Sequence, residues 1–355
     1  MQVLVINPGA TSTKISVFRE EEEIFKASLD HSAQELAPFA HIVDQGPYRK
    51  ELILKALTEA GYQMSDFQAV CGRGGLLRHI PSGTYTVTDA VIRDVMDPPY
   101  GEHASNLGVL LARELAQPAG IPAFFVDPVC VDEMTPIAHV SGFKGMQRES
   151  FFHALNQKSI ARKAAQQLGK AYEECRMIVV HLGGGVSVAA HEYGRCVDVY
   201  NVKDEGAMGL DRGGSLPVNA VINLCFSGIT KKEAKKMLGT ESGVFSYLGT
   251  KDFREIEHKA CVENDPEFKL IFDALAYQLA KDIGAMSAVL KCKVDAIVFT
   301  GGMAYAKPFI AAISQYVEGI APILVLPGEE EMKSLALGAL RVLHGESARE
   351  YEKEI

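Results

Sequence analysis

Three short turns concentrate the groups that hold a phosphate. In the first, Asn7-Pro8-Gly9-Ala10-Thr11-Ser12 followed by Lys14, an amide, two hydroxyls and a lysine fall within one short stretch. Glycine lets the backbone approach an anion, hydroxyls and amides donate hydrogen bonds, and lysine adds a point charge. The second turn, Gly183-Gly184-Gly185, lies between two apolar runs with His181 just ahead of it. The third, Gly301-Gly302, ends the apolar run 295–300 and opens a helical pattern, the place where ligands gather in α/β folds. Taken singly, the first also reads as a polar hairpin and the second as a structural glycine hairpin. Three such turns in order, each at a strand end, are more specific than any one. Neither the Walker A pattern nor the G-x-G-x-x-G fingerprint occurs in the chain.

The elements that must carry these turns follow from periodicity. An apolar strand at 2–6, the turn, an alternating strand at 13–18, an acidic tip at 20–23 and a third strand open the chain. Helical patterns lie near 48–60 and 104–117, and a buried strand at 121–126. The second half repeats the opening: a helix over 151–168, a strand at 177–182, the glycine turn, strands at 186–190 and 194–200. Helices near 216–226, 230–238, 252–261 and 267–290, a strand at 295–300, a further helix, a strand at 322–326 and a helix at 331–344 complete it. This repeats an architecture rather than letters. It predicts an α/β chain of two mixed domains, 1–150 and 151–330, with a cleft in which the glycine turns face each other and a last helix packing back on the first domain.

Composition narrows the function. At 355 residues two domains are the natural division. A net charge of −9 argues against general nucleic-acid binding, which needs a basic face. Seven dispersed cysteines without a C-x-x-C pair read as reduced thiols, and neither a leader-like n-region nor a membrane-length apolar run is seen. The expectation is a cytoplasmic enzyme that binds neither nucleic acid nor membrane.

N-P-G-A-T-S-T-K at 7–14, H-L-G-G-G-V-S-V at 181–188 and F-T-G-G-M-A at 299–304 resemble the phosphate and adenosine motifs of the acetate and butyrate kinase family. That family sits within the sugar kinase, heat-shock ATPase and actin superfamily. C-G-R-G-G at 71–75, M-D-P-P-Y-G-E-H-A-S-N-L-G at 96–108 and V-D-P-V-C-V-D-E-M at 126–134 resemble its butyrate kinase branch. The resemblance implies duplicated domains of the actin-like, ribonuclease H-like ATPase type, use of ATP/ADP with Mg²⁺, and assembly into a homo-oligomer. It implies catalytic roles for Arg73, Asp127, His153 and Arg212, with Asp127 and Glu331 at the metal. It places Asn7, Thr11, Ser12, Lys14, His181, Gly183, Gly184, Gly185, Gly301 and Gly302 at the nucleotide, and Gly75, His103 and Phe152 at the acyl pocket. Without the resemblance, His181 and His153 also read as core histidines, Asp127 as a turn former before Pro128, and Arg212 as a local partner of Asp211. Glu329 and Glu330 adjoin Glu331. Ala10 replaces a hydroxyl residue of acetate kinases. Gly75 and Lys203 stand where those enzymes bound a small acyl pocket, so both changes fit a roomier one.

The implied reaction is reversible transfer of the ATP γ-phosphoryl to butyrate, giving butyryl phosphate and ADP. A carboxylate is already ionised at neutral pH, with a pKa of roughly 4.3, so no base is needed. The difficulty is bringing one anion against another, which two arginines and a divalent ion would relieve. The alternatives are the same reaction on acetate, propionate or isobutyrate, and, further off, a sugar kinase using Asp127 as base or an actin-like ATPase.

Overall fold

The computed structural model describes residues 1–355, which pack as two compact units. One comprises Met1–Asp132, Ala154–Asn156 and Glu330–Ile355; the other comprises Glu133–His153 and Gln157–Glu329. Each is organised around its own mixed sheet.

The first unit has seven strands: β1 (Gln2–Pro8), β2 (Ser12–Arg19), β3 (Glu22–Asp30), β4 (Ala69–Arg73), β5 (Thr84–Thr86), β6 (Ala123–Val126) and β12 (Arg349–Glu350). Their order is β12-β5-β6-β4-β1-β2-β3. β1 to β3 form an antiparallel meander, whereas β4 runs parallel to β1 and β6 parallel to β4. Val3 to Ile6 are all buried, as the continuous apolar run of a strand covered on both faces requires. On one face Val3, Val5, Cys71 and Val126 meet Met332, Leu335, Ala336 and Ala339 of the helix Glu331–Leu343. On the other, the helix Leu107–Ala119 approaches so closely that a methyl group on Gly72 would lie 1.9 Å from the Gly108 carbonyl oxygen.

In the second unit β7 (Arg176–Leu182), β8 (Val186–Glu192) and β9 (Arg195–Tyr200) repeat the meander, and β10 (Ala296–Thr300) and β11 (Ile323–Val325) add on in parallel. The order β11-β10-β7-β8-β9 matches β6-β4-β1-β2-β3. Alternation along β7 sends Ile178, Val180 and Leu182 to a core with the helices Pro266–Val289 and Lys307–Val317, and Met177 and Val179 to a second core beneath Ile160, Ala161 and Ala164.

Most predicted elements appear within a few residues of their expected bounds. The helix predicted over 151–168 starts only at Ala154. Phe151 and Phe152 are buried instead as an irregular lead-in. Strands β4, β5 and β12 and the helix Asp89–Met96 are additions. The last helix begins at Glu331, in the first unit.

One buried side chain shapes the first turn. Arg49, in the helix Gly46–Glu59, is 1% exposed and directs Nη1 to the Gly9 carbonyl (2.9 Å), the Ser12 carbonyl (3.2 Å) and the Thr13 hydroxyl (3.0 Å). Nη2 reaches the Ala10 carbonyl at 3.3 Å, and Gln45 Oε1 accepts from Nε and Nη2. The turn's carbonyls are thus gathered onto a buried cation. Replacing Arg49 with Met removes the donor from the buried Thr13 hydroxyl and the half-buried Gly9 and Ser12 carbonyls, a buried unsatisfied group costing about 1–3 kcal/mol. Urea unfolding of Arg49→Met should show a loss of about 2 kcal/mol or more, with Arg49→Lys intermediate; an unchanged midpoint would contradict this role.

Candidate active site: two clusters of functional side chains

The first cluster stands at the carboxyl ends of three neighbouring parallel strands. Ile6 pairs with Gly72 and Arg73 with Val126, so Asn7 near the end of β1, Arg73 at the end of β4 and Asp127 just after β6 stand within about one residue of one level. This is where open α/β sheets bind ligands. Asn7 Nδ2 donates to Glu331 Oε2 at 2.7 Å, and Arg73 Nη1 contacts Glu331 Oε1 at 2.9 Å and Asn7 Oδ1 at 3.3 Å. Of the three consecutive glutamates, Glu331 is the one that joins Asn7 and Arg73. Asp127 is 3% exposed and sits at φ 39°, a left-handed conformation unusual for aspartate. Its Oδ1 accepts from Ser82 Oγ (2.6 Å) and Gly83 N (2.8 Å). The strain and these bonds fix the carboxylate just beyond the strand end.

Lys14 lies opposite Asn7 in the β1–β2 register and is exposed, as is Thr11, while Ser12 is half-buried. Gly9 N bonds the Ser12 carbonyl at 2.7 Å to close the turn. His103 Nδ1 accepts from Ser105 N at 3.2 Å and caps the short turn 104–106. Gly75 does not create the room expected of it: a methyl group there would lie 1.9 Å from Asn106 Oδ1, which accepts from Leu76 N at 2.8 Å. The absent side chain is replaced by buried Asn106.

The second cluster belongs to the second unit. His153 and His181 lie with ring centroids 4.7 Å apart, and Glu329 bridges them, Oε1 to His181 Nε2 at 3.3 Å and Oε2 to His153 Nε2 at 3.7 Å. The two imidazoles, His153 first and then His181, hold the Glu329 carboxyl well below the usual range. The folded state therefore favours ionised Glu329, a contribution present above the ordinary glutamate range and lost as pH falls below it. His181 closes β7 opposite Thr300, the end of β10, so the turns at 183–185 and 301–302 leave adjacent strands together. Gly301, at φ 88°, pairs with Gly328, and a side chain on it would meet the Leu182 carbonyl oxygen at 2.4 Å. A methyl group on Gly185 would lie 2.8 Å from Arg212 Nη1, so the bare turn admits the arginine. By contrast, no protein atom lies within 4 Å of the corresponding position at Gly184 or Gly302.

Arg212 Nη1 donates to the Val202 carbonyl at 3.1 Å, whereas its distance to Asp211 is 3.9 Å and Asp211 pairs more closely with Lys251 at 3.1 Å. Phe152 is buried at 1% exposure. Lys203 Nζ lies over the Phe151 ring, 3.2 Å from the centroid, with Glu149 at 3.8 Å. Arg49 and Asp282 escaped the sequence reading, and Glu329 was read only as a neighbour of Glu331. The glutamate run was visible, but a lone arginine in a helical pattern carries no signal of its own.

Similarity to known proteins bears on both units. Residues 142–315 match the acetokinase family. The whole fold is similar to an acetate kinase from Porphyromonas gingivalis, with a TM-score of 0.80 and 21% identity over 96% of this chain and 99% of that one. A propionate kinase from Francisella tularensis gives 0.74 and 18%, covering 95% and 98%. An ROK hexokinase from Thermus thermophilus gives 0.51 and 15%, covering 96% and 100%. At these identities the structures establish a shared fold: α/β, with two mixed sheets of the duplicated actin-like kind.

The loop that presents Arg212 rests on a half-buried acid. Asp282 Oδ2 accepts from Ala207 N at 2.6 Å and Gln278 Oε1 from Met208 N at 2.9 Å. Both side chains line a cavity of about 740 Å³ with Tyr200, Gly213 and Ser242. Burial pushes the Asp282 carboxyl up from 3.8 to about 6, against the Ala207 hydrogen bond. Its folded-state pKa is raised, so the associated stability is full below the unfolded value near 3.8 and is lost as pH rises through 6. An amide keeps the acceptor without the charge. Asp282→Asn should therefore be more stable than the parent above pH 6 by about 2–3 kcal/mol, with the gap closing toward pH 4; thermal melts across that range would show it, and a pH-independent difference would not fit.

Proposed function

We propose that this chain, whose residues 142–315 match the acetokinase family, is a phosphotransferase with a carboxyl acceptor that transfers the ATP γ-phosphoryl reversibly to butyrate. The observation that carries the reading is Arg73. It is a cation fixed at a strand end by Glu331 and Asn7 through Nη1, which leaves Nε and Nη2 for an ionised acceptor. An alcohol acceptor has no need of such a charge; a carboxylate does.

The remaining groups divide by reactant. Arg73 holds the carboxylate and, with Arg212, takes up charge on the phosphoryl group in flight, the kind of contribution worth on the order of 10³–10⁵ in rate for arginine fingers elsewhere. His153 donates to the transferring phosphoryl. Asn7, Thr11, Ser12 and Lys14 steady phosphate oxygens, and His181, Gly183, Gly184, Gly185, Gly301 and Gly302 line the nucleotide, the open positions at Gly184 and Gly302 leaving it room. Asp127 and Glu331 offer only oxygen donors, which suits Mg²⁺ held mostly through its waters. Bound there, the ion supplies charge neutralisation on the β- and γ-phosphates.

Butyrate is favoured over acetate by the butyrate kinase-like segments at 71–75, 96–108 and 126–134. With Asn106 filling the space beside Gly75, the chain-length assignment rests on those segments. Acyl phosphates lie above ATP in free energy, so the cellular direction assigned is ATP synthesis. All seven cysteines are free, which suits a reducing cytoplasm, and no helix is long and apolar enough to cross a membrane. The helix Val218–Cys225 buries none of its residues and leaves Val218, Ile222 and nearby Phe226 exposed, a surface that a homo-oligomer would cover.

Trapping acyl phosphate with hydroxylamine, using Mg-ATP and acetate, propionate, butyrate, isobutyrate or valerate, tests the assignment. The expected result is a kcat/KM maximum at butyrate. A maximum at acetate would move the specificity to the shorter acid, and no turnover with any acid would remove the carboxylate-kinase reading.

A further inference from the structure

The two clusters differ in the chemistry of their donors. Around Asp127 and Glu331 the anionic donors are all oxygens, the preference of magnesium. His153, His181 and Glu329 instead offer two imidazole nitrogens and a carboxylate, and one donor atom from each lies within 4.8 Å of the others. That combination is the His₂Glu set that zinc and its neighbours favour over magnesium.

The geometry is close to what such an ion needs. Metal–ligand bonds of about 2.0–2.1 Å in a tetrahedron place the donor atoms about 3.3–3.4 Å apart. His181 Nε2 and Glu329 Oε1 are already 3.3 Å apart, and His153 Nε2 is 3.7 Å from Glu329 Oε2. Because one donor atom from each residue lies within 4.8 Å of the others, no donor pair has to close by more than about 1.5 Å to complete the set. The three residues come from separate elements: His153 precedes the helix Ala154–Gln167, His181 closes β7, and Glu329 follows the Gly301–Gly328 bridge. Gly183 leaves the imidazole its place, since a methyl group there would stand 2.8 Å from His181 Nε2 and 3.5 Å from Glu329 Oε1. Glu329 is 35% exposed, so a fourth position is open to water or a phosphate oxygen, as in catalytic rather than structural zinc sites.

We propose that His153, His181 and Glu329 form a binding site for a first-row transition-metal dication of the Zn²⁺ and Co²⁺ class, separate from the magnesium donors. An ion there takes the imidazole assigned above to the phosphoryl group, which would couple turnover to transition-metal supply. That consequence rests on the carboxylate-kinase reading; the site itself does not.

Titrating the full-length protein with Co²⁺ in excess Mg²⁺ and reading the visible d–d spectrum tests the site without any turnover. The expected result is one saturable site with the intense bands of four- or five-coordinate cobalt, discharged by Zn²⁺. In His181→Ala and in Glu329→Gln the affinity should fall by more than the roughly 10–100-fold that a second-shell change typically costs, while Glu330→Gln titrates like the parent. Melting curves on the same samples verify folding, and His153→Gln removes a ligand independently should one variant fail to fold. Only the weak bands of six-coordinate cobalt, or titrations unchanged in folded His181→Ala and Glu329→Gln, would overturn the proposal.

Discussion

The contact between Arg73 and Glu331 is the constraint around which the first unit is arranged. A guanidinium at the end of a largely buried sheet is costly unless it is paired and hydrogen-bonded, and Glu331 and Asn7 supply both at 2.9 and 3.3 Å. Meeting that condition draws in distant parts of the chain. Glu331 must open the last helix, which returns to cover β1, β4 and β6. Gly72 must be bare, because the helix behind β4 lies against it. Arg49 holds the turn beside Asn7 from beneath. The result is a cation whose position is set before any substrate arrives.

Duplication explains why a second set of groups exists. A strand leaving an open sheet at its carboxyl end delivers backbone amides and a side chain to the same level as its parallel neighbour. Each unit does so with the same strand order. In the first unit the delivered groups are Asn7, Arg73 and Asp127; in the second they are His181 and the glycine turns after β7 and β10. The copies have diverged in donors, oxygen and guanidinium in one, imidazole and bare backbone in the other. Glu329 bridges the histidines of the second unit, and Glu331 pairs with Arg73 in the first.

Much of this was legible in the sequence. The apolar run 2–6 and its echo at 177–182 gave away the duplicated meander, because central strands need unbroken apolar runs and helices need longer ones. Short strands such as β5 and β12 were missed, since three residues or fewer carry no period. The glycine turns were visible as letters, but their separate duties were not: Gly185 makes way for Arg212, Gly301 for the Leu182 carbonyl, and Gly75 for Asn106. Asn106 fills the space where the missing side chain of Gly75 had implied room, a substitution that only three-dimensional packing reveals. Arg49 and Asp282 lie in helices whose patterns describe burial and say nothing of the loops they hold.

The central claim is that Arg73 recognises the acceptor as an anion. Steady-state kinetics of Arg73→Gln, varying butyrate and Mg-ATP separately, tests it most directly. A charge-assisted hydrogen bond is worth about 1.5–3 kcal/mol, so the butyrate KM should rise by about 10- to 100-fold while the KM for ATP stays near the parent value. A variant whose ATP KM rises and whose butyrate KM does not would place Arg73 at the nucleotide and contradict the account.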